Sequence, residues 1–293
     1  MRTPGELLRD WLQRRISSDD YGWLEGQLEK LAGGSERDLV ITLGLIPRRL
    51  GKADLSLSAE ELEQAEAARS GWDPSQWTVD TAARVLALLS LQIDEAAFER
   101  QFAEFCRTAD APEAIAVFSG LPLYPAAAKL QPHAAEALRG NIRAVFEAVA
   151  HRNPYPREQF DEDRWNQMVL KALFIGSTLH PIQGIDERAN PVLARIMCDY
   201  AHERWAAGRA ITPEIWRNVG PFAEGDMLED LRRVAGSPDP REREAAALAL
   251  SANTSAEAKR ILETLGPELN RIQAGETGWE DVVRQLDPEE AQT

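Results

Sequence analysis

Apolar positions recur at three- and four-residue spacing along nearly the whole chain, and that spacing predicts one helix after another. Residues 5–16, 19–32 and 36–50 read as amphipathic helices broken at Ser17-Ser18 and Gly33-Gly34. Within the third, Leu39-Val40-Ile41-Thr42-Leu43 is rich in β-branched residues but sits in a helical frame. Ser58-x-x-Glu61 has the form of a capping box ahead of a polar helix. After the turn Gly71-Trp72-Asp73-Pro74, the apolar run from Trp77 to Leu91 marks a mostly buried helix. Residues 94–107 set Phe98, Phe102, Phe105 and Cys106 on one face, which reads as core packing rather than an aromatic binding box. Asp110-Ala111-Pro112-Glu113 starts the next helix, and 132–150 reads as one longer helix. Asn153-Pro154-Tyr155-Pro156 is a rigid connector, because proline fixes φ and removes a donor. Toward the C-terminus, 226–235, 239–252 and 255–265 are helical, and SPDPREREAAALALSAN resembles the small-residue helix of stacked hairpins. The expected fold is all-α: an irregular α-solenoid of stacked helical hairpins, HEAT-like in the C-terminal part. It is expected to form a single helical domain over 1–285, with a candidate subdomain boundary near 153–156 and a disordered tail at 286–293.

The stretch from Asn166 to Phe222 is the densest in residues that are costly or unusual to place. A helix over 162–179 ends between Gly176 and Pro181. HPIQGIDERAN then forms a polar loop in which Gly184 is free to take a positive φ. Asn190-Pro191 is a cap followed by a proline at the first helical position, and the helix it opens runs to about Ala207 and stops at Gly208. Thr212-Pro213-Glu214 opens another helix by the same device, closed by Gly220-Pro221. A polar loop held between two well-specified helices suits a fixed site.

Composition narrows the partners. The formal charge of −15 argues against nucleic acid, which needs a basic surface, and against adhesion to anionic lipid by charge. An apolar share of 44% suits a soluble globular chain with a real core. Two cysteines in 293 residues are no disulfide framework, and a reducing cytoplasm is the expected compartment. The opening MRTPGELLRDWLQRR reads as an amphipathic helix rather than a signal peptide, and no apolar run reaches the roughly 18 residues needed to span a bilayer.

Several chemistries compete for the polar stretch. Asp199-x-x-His202-Glu203 puts a carboxylate and an imidazole on one helix face, with His180 as a third candidate metal ligand. That is one half of a two-metal carboxylate motif, and no metal or other cofactor is expected. His180 with Asp186 or Glu203 could serve as acid and base if they met in a pocket, and Ser177 beside His180 is the weakest nucleophile candidate. Hydrolase elbow, Cys/His pair and phosphate-cradling loop are all missing. The same side chains could instead form a satisfied polar network, with Asp186, Arg188 and Asn190 tying the loop to the next helix and Glu203 pairing with Arg204 or Arg209. They could also frame a polar ligand, with Arg188 and Arg209 facing an anionic group. The candidate ligand- or partner-binding residues are His180, Gln183, Asp186, Arg188, Asn190, Glu203, Arg204, Arg209 and Trp216.

A resemblance adds context. Asn153-Pro154-Tyr155-Pro156, WNQMVLKALF at 165–174, IQGIDERAN at 182–190, LARIMCDYAHERWAAGR at 193–209, PEIWRNVGPF at 213–222 and DPREREAAALAL at 239–250 resemble the EboA family of metabolite-traffic proteins. The resemblance spans most of the chain and is densest from 150 to 250. It implies a member of a bacterial gene cluster that moves a secondary-metabolite precursor out of the cytoplasm. Implied partners are the cluster's prenyltransferase-like, cyclase-like and barrel-fold proteins, and a polar or prenylated small molecule. It carries over no catalytic residues. The leading expectation is therefore a non-catalytic binding or scaffold protein. The alternatives are an enzyme of the same cluster using His180 with Asp186 or Glu203, and a metalloprotein.

Overall fold

Side-chain caps set most of the helix starts. Thr3, Ser17, Ser35, Ser58, Thr78, Asp94 and Asp110 each accept a hydrogen bond from an amide in the first turn that follows, satisfying donors a helix end leaves orphaned. The structure, a computed structural model, describes residues 2–284, so the expected tail at 286–293 lies outside the described residues. Among these the fold is all-helical, and an isolated antiparallel bridge joins Asp54 and Thr78. The described residues divide into two compact units at Arg164 and Trp165.

The first unit holds α1 (Pro4–Arg15), α2 (Ser18–Leu31), α3 (Glu36–Leu50), α4 (Ala59–Ala68), α5 (Val79–Leu89), α6 (Glu95–Thr108), α7 (Ala111–Ser119), α8 (Gln131–Arg139), α9 (Arg143–Ala150) and α10 (Tyr155–Gln159). The next helix, α11 (Glu162–Ile175), begins here and continues into the second unit. α5 is the centre: every residue from Val79 to Leu88 is buried, and α1, α3 and α7 pack on it. Its Asp80–Arg84 pair (3.0 Å) is buried, and the Arg84 Nε donates to the Leu43 carbonyl at 3.2 Å, so the cation is not left unpaired in the core. Trp72 lies between Trp11 and Trp77 nearby in tilted contacts, with ring centroids 5.4 and 5.9 Å away. Phe98, Phe102 and Phe105 are buried, as core packing requires. Phe98 and Phe102 cluster with Tyr124, and Phe102 meets Phe118 edge-on at 6.0 Å.

The single helix expected over 132–150 is two helices. Gly140, with ψ 165°, takes an extended conformation after α8, and α9 starts only at Arg143. Glycine with no side chain to hold it, followed by Asn141, ends the helix despite continuous apolar spacing on both sides. The turn Asn153–Tyr155 is fastened by Asn153, whose amide nitrogen donates to the Phe118 and Ala148 carbonyls and whose oxygen accepts from the Tyr155 amide.

Glu61 closes its capping box with Ser58 and also pairs with Arg15. Burial alone pushes its carboxyl up. The Arg15 hydrogen bond, the Ser58 amide and the charges of Arg15 and Arg14 outweigh burial and hold it below the ordinary value. A carboxyl lowered on folding adds stability that is complete above its unfolded value and is lost as pH falls through the folded one. Acid titration of thermal stability should therefore lose less below pH about 4.5 in Glu61→Gln than in the wild type. Parallel curves for the two proteins would contradict this account.

The second unit continues α11 from Trp165 and adds α12 (Pro191–Ala206), α13 (Trp216–Val219), α14 (Asp226–Ala235), α15 (Pro240–Ser251), α16 (Ala256–Leu262), α17 (Gly266–Gln273) and α18 (Trp279–Arg284). α15 is its hub, with α13, α14, α16, α17 and α18 packed around it. Its buried alanines, Ala245, Ala246, Ala247 and Ala249, let neighbouring backbone come close. The helix expected to open at Thr212-Pro213-Glu214 is instead a 3₁₀ turn, Pro213–Ile215, followed by the single turn of α13. Thr212 makes no side-chain cap, and Glu214 is turned inward for a different task. No helix among the described residues is long and apolar enough to cross a membrane.

Candidate functional site

The loop from Gly176 to Asn190 starts and ends on helix-termination chemistry. α11 closes in a Schellman arrangement: Gly176 takes φ 70°, the Ser177 amide donates to the Ala172 carbonyl at 2.9 Å, and the Gly176 amide donates to Leu173. At the other end the Asn190 side chain accepts from the Leu193 amide at 2.9 Å and caps α12. Its amide nitrogen donates to the Asn166 side chain at 2.9 Å, so the exit of the loop is pinned to the first turns of α11. Between these ends, successive turns place Leu179, Ile182 and Ile185 inward, where all three are buried. Gly184 supplies the positive φ of 85° that the chain needs there.

The segment 213–219 braces the loop from one side. Glu214 is buried, and its carboxylate accepts from the Leu179 amide at 3.1 Å and from the His180 amide at 2.7 Å. One turn on, Arg217 grips Asp186 with two hydrogen bonds of 2.6 Å each, and its Nη1 lies 3.3 Å from His180 Nδ1. The Arg217 side chain is almost covered, at 11% exposure, while the Asp186 side chain remains 62% exposed. The Asn218 side-chain nitrogen donates to the Ile185 carbonyl at 2.6 Å. On another side the Arg188 guanidinium sits 4.7 Å over the Trp165 ring, a cation–π contact that covers the tryptophan.

These contacts bring His180, Asp186, Arg188 and Asn190 into one braced substructure, with half-buried Gln183 inside the same loop. Glu203, Arg204 and Arg209 lie at the C-terminal end of α12, about 20 Å along the helix axis from its Asn190 cap. Arg204 donates twice to the Ala210 carbonyl and helps close that end of the helix, while Glu203 and Arg209 are exposed. Trp216 is fully buried and stacks on Trp205 with centroids 5.7 Å apart; Trp205 in turn lies under the Arg233 guanidinium at 4.0 Å. The acid–base pairing of His180 with Asp186 has Arg217 standing on both groups. The residues that do the bracing, Glu214, Arg217, Asn218, Trp165 and Asn166, were not among those singled out from the sequence. Nothing local in the sequence marks them, because their partners lie far off in the chain, 35 residues away for Glu214 and Leu179.

A second cluster lines an open groove of about 640 Å³ between α12 and the start of α14. There His202 Nε2 lies 2.8 Å from both Asp230 oxygens, and Cys198 is buried one turn back. Burial, then the charges of Asp230 and Asp199, push the Cys198 thiol up to about 12. A Cys–His–Asp arrangement needs a thiolate, and this thiol is held neutral instead. Among the described residues, no three His, Cys, Asp or Glu side chains converge as a metal-holding group.

The architecture and the loop define an all-helical protein that presents a braced polar loop. The family model of EboA, described as metabolite traffic protein EboA, matches residues 5–220, and the chain belongs to that family. No curated protein and no solved structure matches it.

Proposed function

We propose that this protein is a non-catalytic helical binding or scaffold protein of a bacterial metabolite-traffic cluster. In this reading it helps move a secondary-metabolite precursor out of the cytoplasm, and it docks other proteins of that cluster through the edge of the 180–190 loop. The supporting observation is the way the loop's charges are spent: Asp186 on Arg217, Arg188 on Trp165, and the loop backbone on buried Glu214. Groups that are paired with one another on a shaped surface suit recognition, in which a pre-ordered loop loses little entropy on binding. An acid–base site would need them converging on an enclosed pocket. The α14–α15 and α15–α16 packing supports the further reading that the C-terminal helices stack as hairpins of an irregular solenoid.

The test is co-purification from the native host with the neighbouring cluster proteins present, for the wild type and the double variant Gln183→Ala/Asp186→Ala. The expected outcome is a loss of a co-purifying cluster protein of about ten-fold from protein that stays folded, with the melting temperature lowered by several degrees because the nearly covered Arg217 loses its partner. Undiminished co-purification by that variant, with Arg188→Ala lowering only the melting temperature, would make the loop purely structural and overturn the reading.

A further inference from the structure

The first unit contains a cleft of about 450 Å³ between α6, α7, α8 and the break that precedes α9. Its walls are made by small or apolar side chains: Ala103 on α6, Ala111 and Ala114 on α7, Ala137 on α8, with Phe118 and Val145 deeper. Packed helices usually interdigitate larger residues, as α6 itself does where Phe98 and Phe102 meet Tyr124 and Phe118. Here alanines leave the space open. The Gly140–Asn141 break that divides α8 from α9 forms one lip, and it carries Ile142, which is 53% exposed beside the opening.

We propose that this cleft binds an apolar small molecule, a hydrocarbon chain of about a dozen carbons, with its end at the charged rim. The inference does not rest on the docking role of the 180–190 loop. Volume sets the size: ligand pockets span roughly 300–1,000 Å³, and a dry cavity of about 150 Å³ holds a six-carbon ring. A cleft three times larger, open at one side, accommodates about twice that carbon count. The electrostatics set the class. At the rim Arg107 is held by Glu104, His133 Nε2 lies 3.3 Å from Glu99, and Glu136 takes Arg139 at 2.8 Å. With those charges already paired, no ionic headgroup is demanded. Cys106, the one sulfur in the wall, is kept neutral because burial pushes its thiol up to about 12, so it acts as a small apolar surface. Apolar area that the protein leaves uncovered, Ile142 above all, would be removed from water by such a guest.

The probe is 11-(dansylamino)undecanoic acid, titrated into the full chain and displaced with dodecan-1-ol or with dodecanoate. One probe per chain with blue-shifted emission is expected, displaced by the alcohol at least as well as by the acid, since the rim offers no free cation. Ala114→Phe and Ala137→Phe, which fill the cleft from two different helices, should each weaken probe binding about ten-fold or more, and Ile142→Ser about three-fold. Two filling variants keep the test alive if one fails to fold. Gln183→Ala/Asp186→Ala should leave probe binding unchanged, so loss of the docking role and loss of this site are distinguishable. Absence of probe binding by the wild type, or binding undiminished in a folded filling variant, would overturn the proposal. Displacement by dodecanoate alone would overturn its neutral-chain form.

Discussion

Glu214→Ala is expected to lower the melting temperature by about 10 °C. The carboxylate is buried and serves as the acceptor for two loop amides, Leu179 at 3.1 Å and His180 at 2.7 Å. Its removal strands the buried Leu179 amide and the half-buried His180 amide. A buried donor without an acceptor costs about 1–3 kcal/mol, and bonds to a charged acceptor are at the stronger end, so about 3–4 kcal/mol is lost. For a cooperative unit of this size each kcal/mol shifts the midpoint by about 3 °C. Glu214→Gln keeps one acceptor oxygen and nearly the same volume, so its shift should be about a third as large. Hydrogen exchange localises the effect: the Leu179 and His180 amides should exchange much faster in Glu214→Ala, while the α5 amides, in the other unit, keep their protection. An Ala variant that melts within about 2 °C of wild type would show that the loop does not depend on this strut.

That prediction marks the boundary between what periodicity could and could not disclose. The helices were legible because caps and apolar spacing are local: Asn190-Pro191, Ser58-x-x-Glu61 and Asp110-x-x-Glu113 each specify a start within four residues, and each makes the capping bond. The loop was legible as a loop for the same reason, through Gly176, Pro181 and Gly184. Its neighbours were not. Glu214 looked like an ordinary acid in a first helical turn, where it would favour the dipole, and its inward rotation depends on a segment 34 residues earlier arriving with bare amides. Arg217 carried no local signal either, although it is the partner that decides what Asp186 and His180 can do. The break at Gly140 failed for the opposite reason: strong spacing on both sides masked one residue with no side chain to hold the helix. Chemistry that is assembled across sequence distance, rather than within a turn, is where the sequence alone falls silent.

The same segment supplies the other large effect. Gly220→Ala should destabilise by about 3 kcal/mol, close to 10 °C, although its backbone angles (φ −46°, ψ −53°) suit any residue. The obstacle is space. A Cβ there would lie 2.7 Å from both the Ala249 carbonyl carbon and its Cα, which belong to the backbone of α15 and cannot rotate away as a side chain would. Asn253 removes the remaining slack by donating to the Gly220 carbonyl at 2.8 Å and the Ala223 carbonyl at 2.9 Å. The chain can relieve the overlap only by moving residues 216–220 off the alanine face of α15, and that displaces Arg217 and Asn218, which brace the loop. Gly220→Ala should therefore also speed exchange at His180, tying the stability loss to the site. Gly22→Ala is the matched control. It lies in α2 with nothing within 4 Å of the added carbon, so it should stabilise by up to about 1 kcal/mol through helix propensity alone. If both glycine variants melt alike, close packing of this segment on α15 is not what fixes the loop's support.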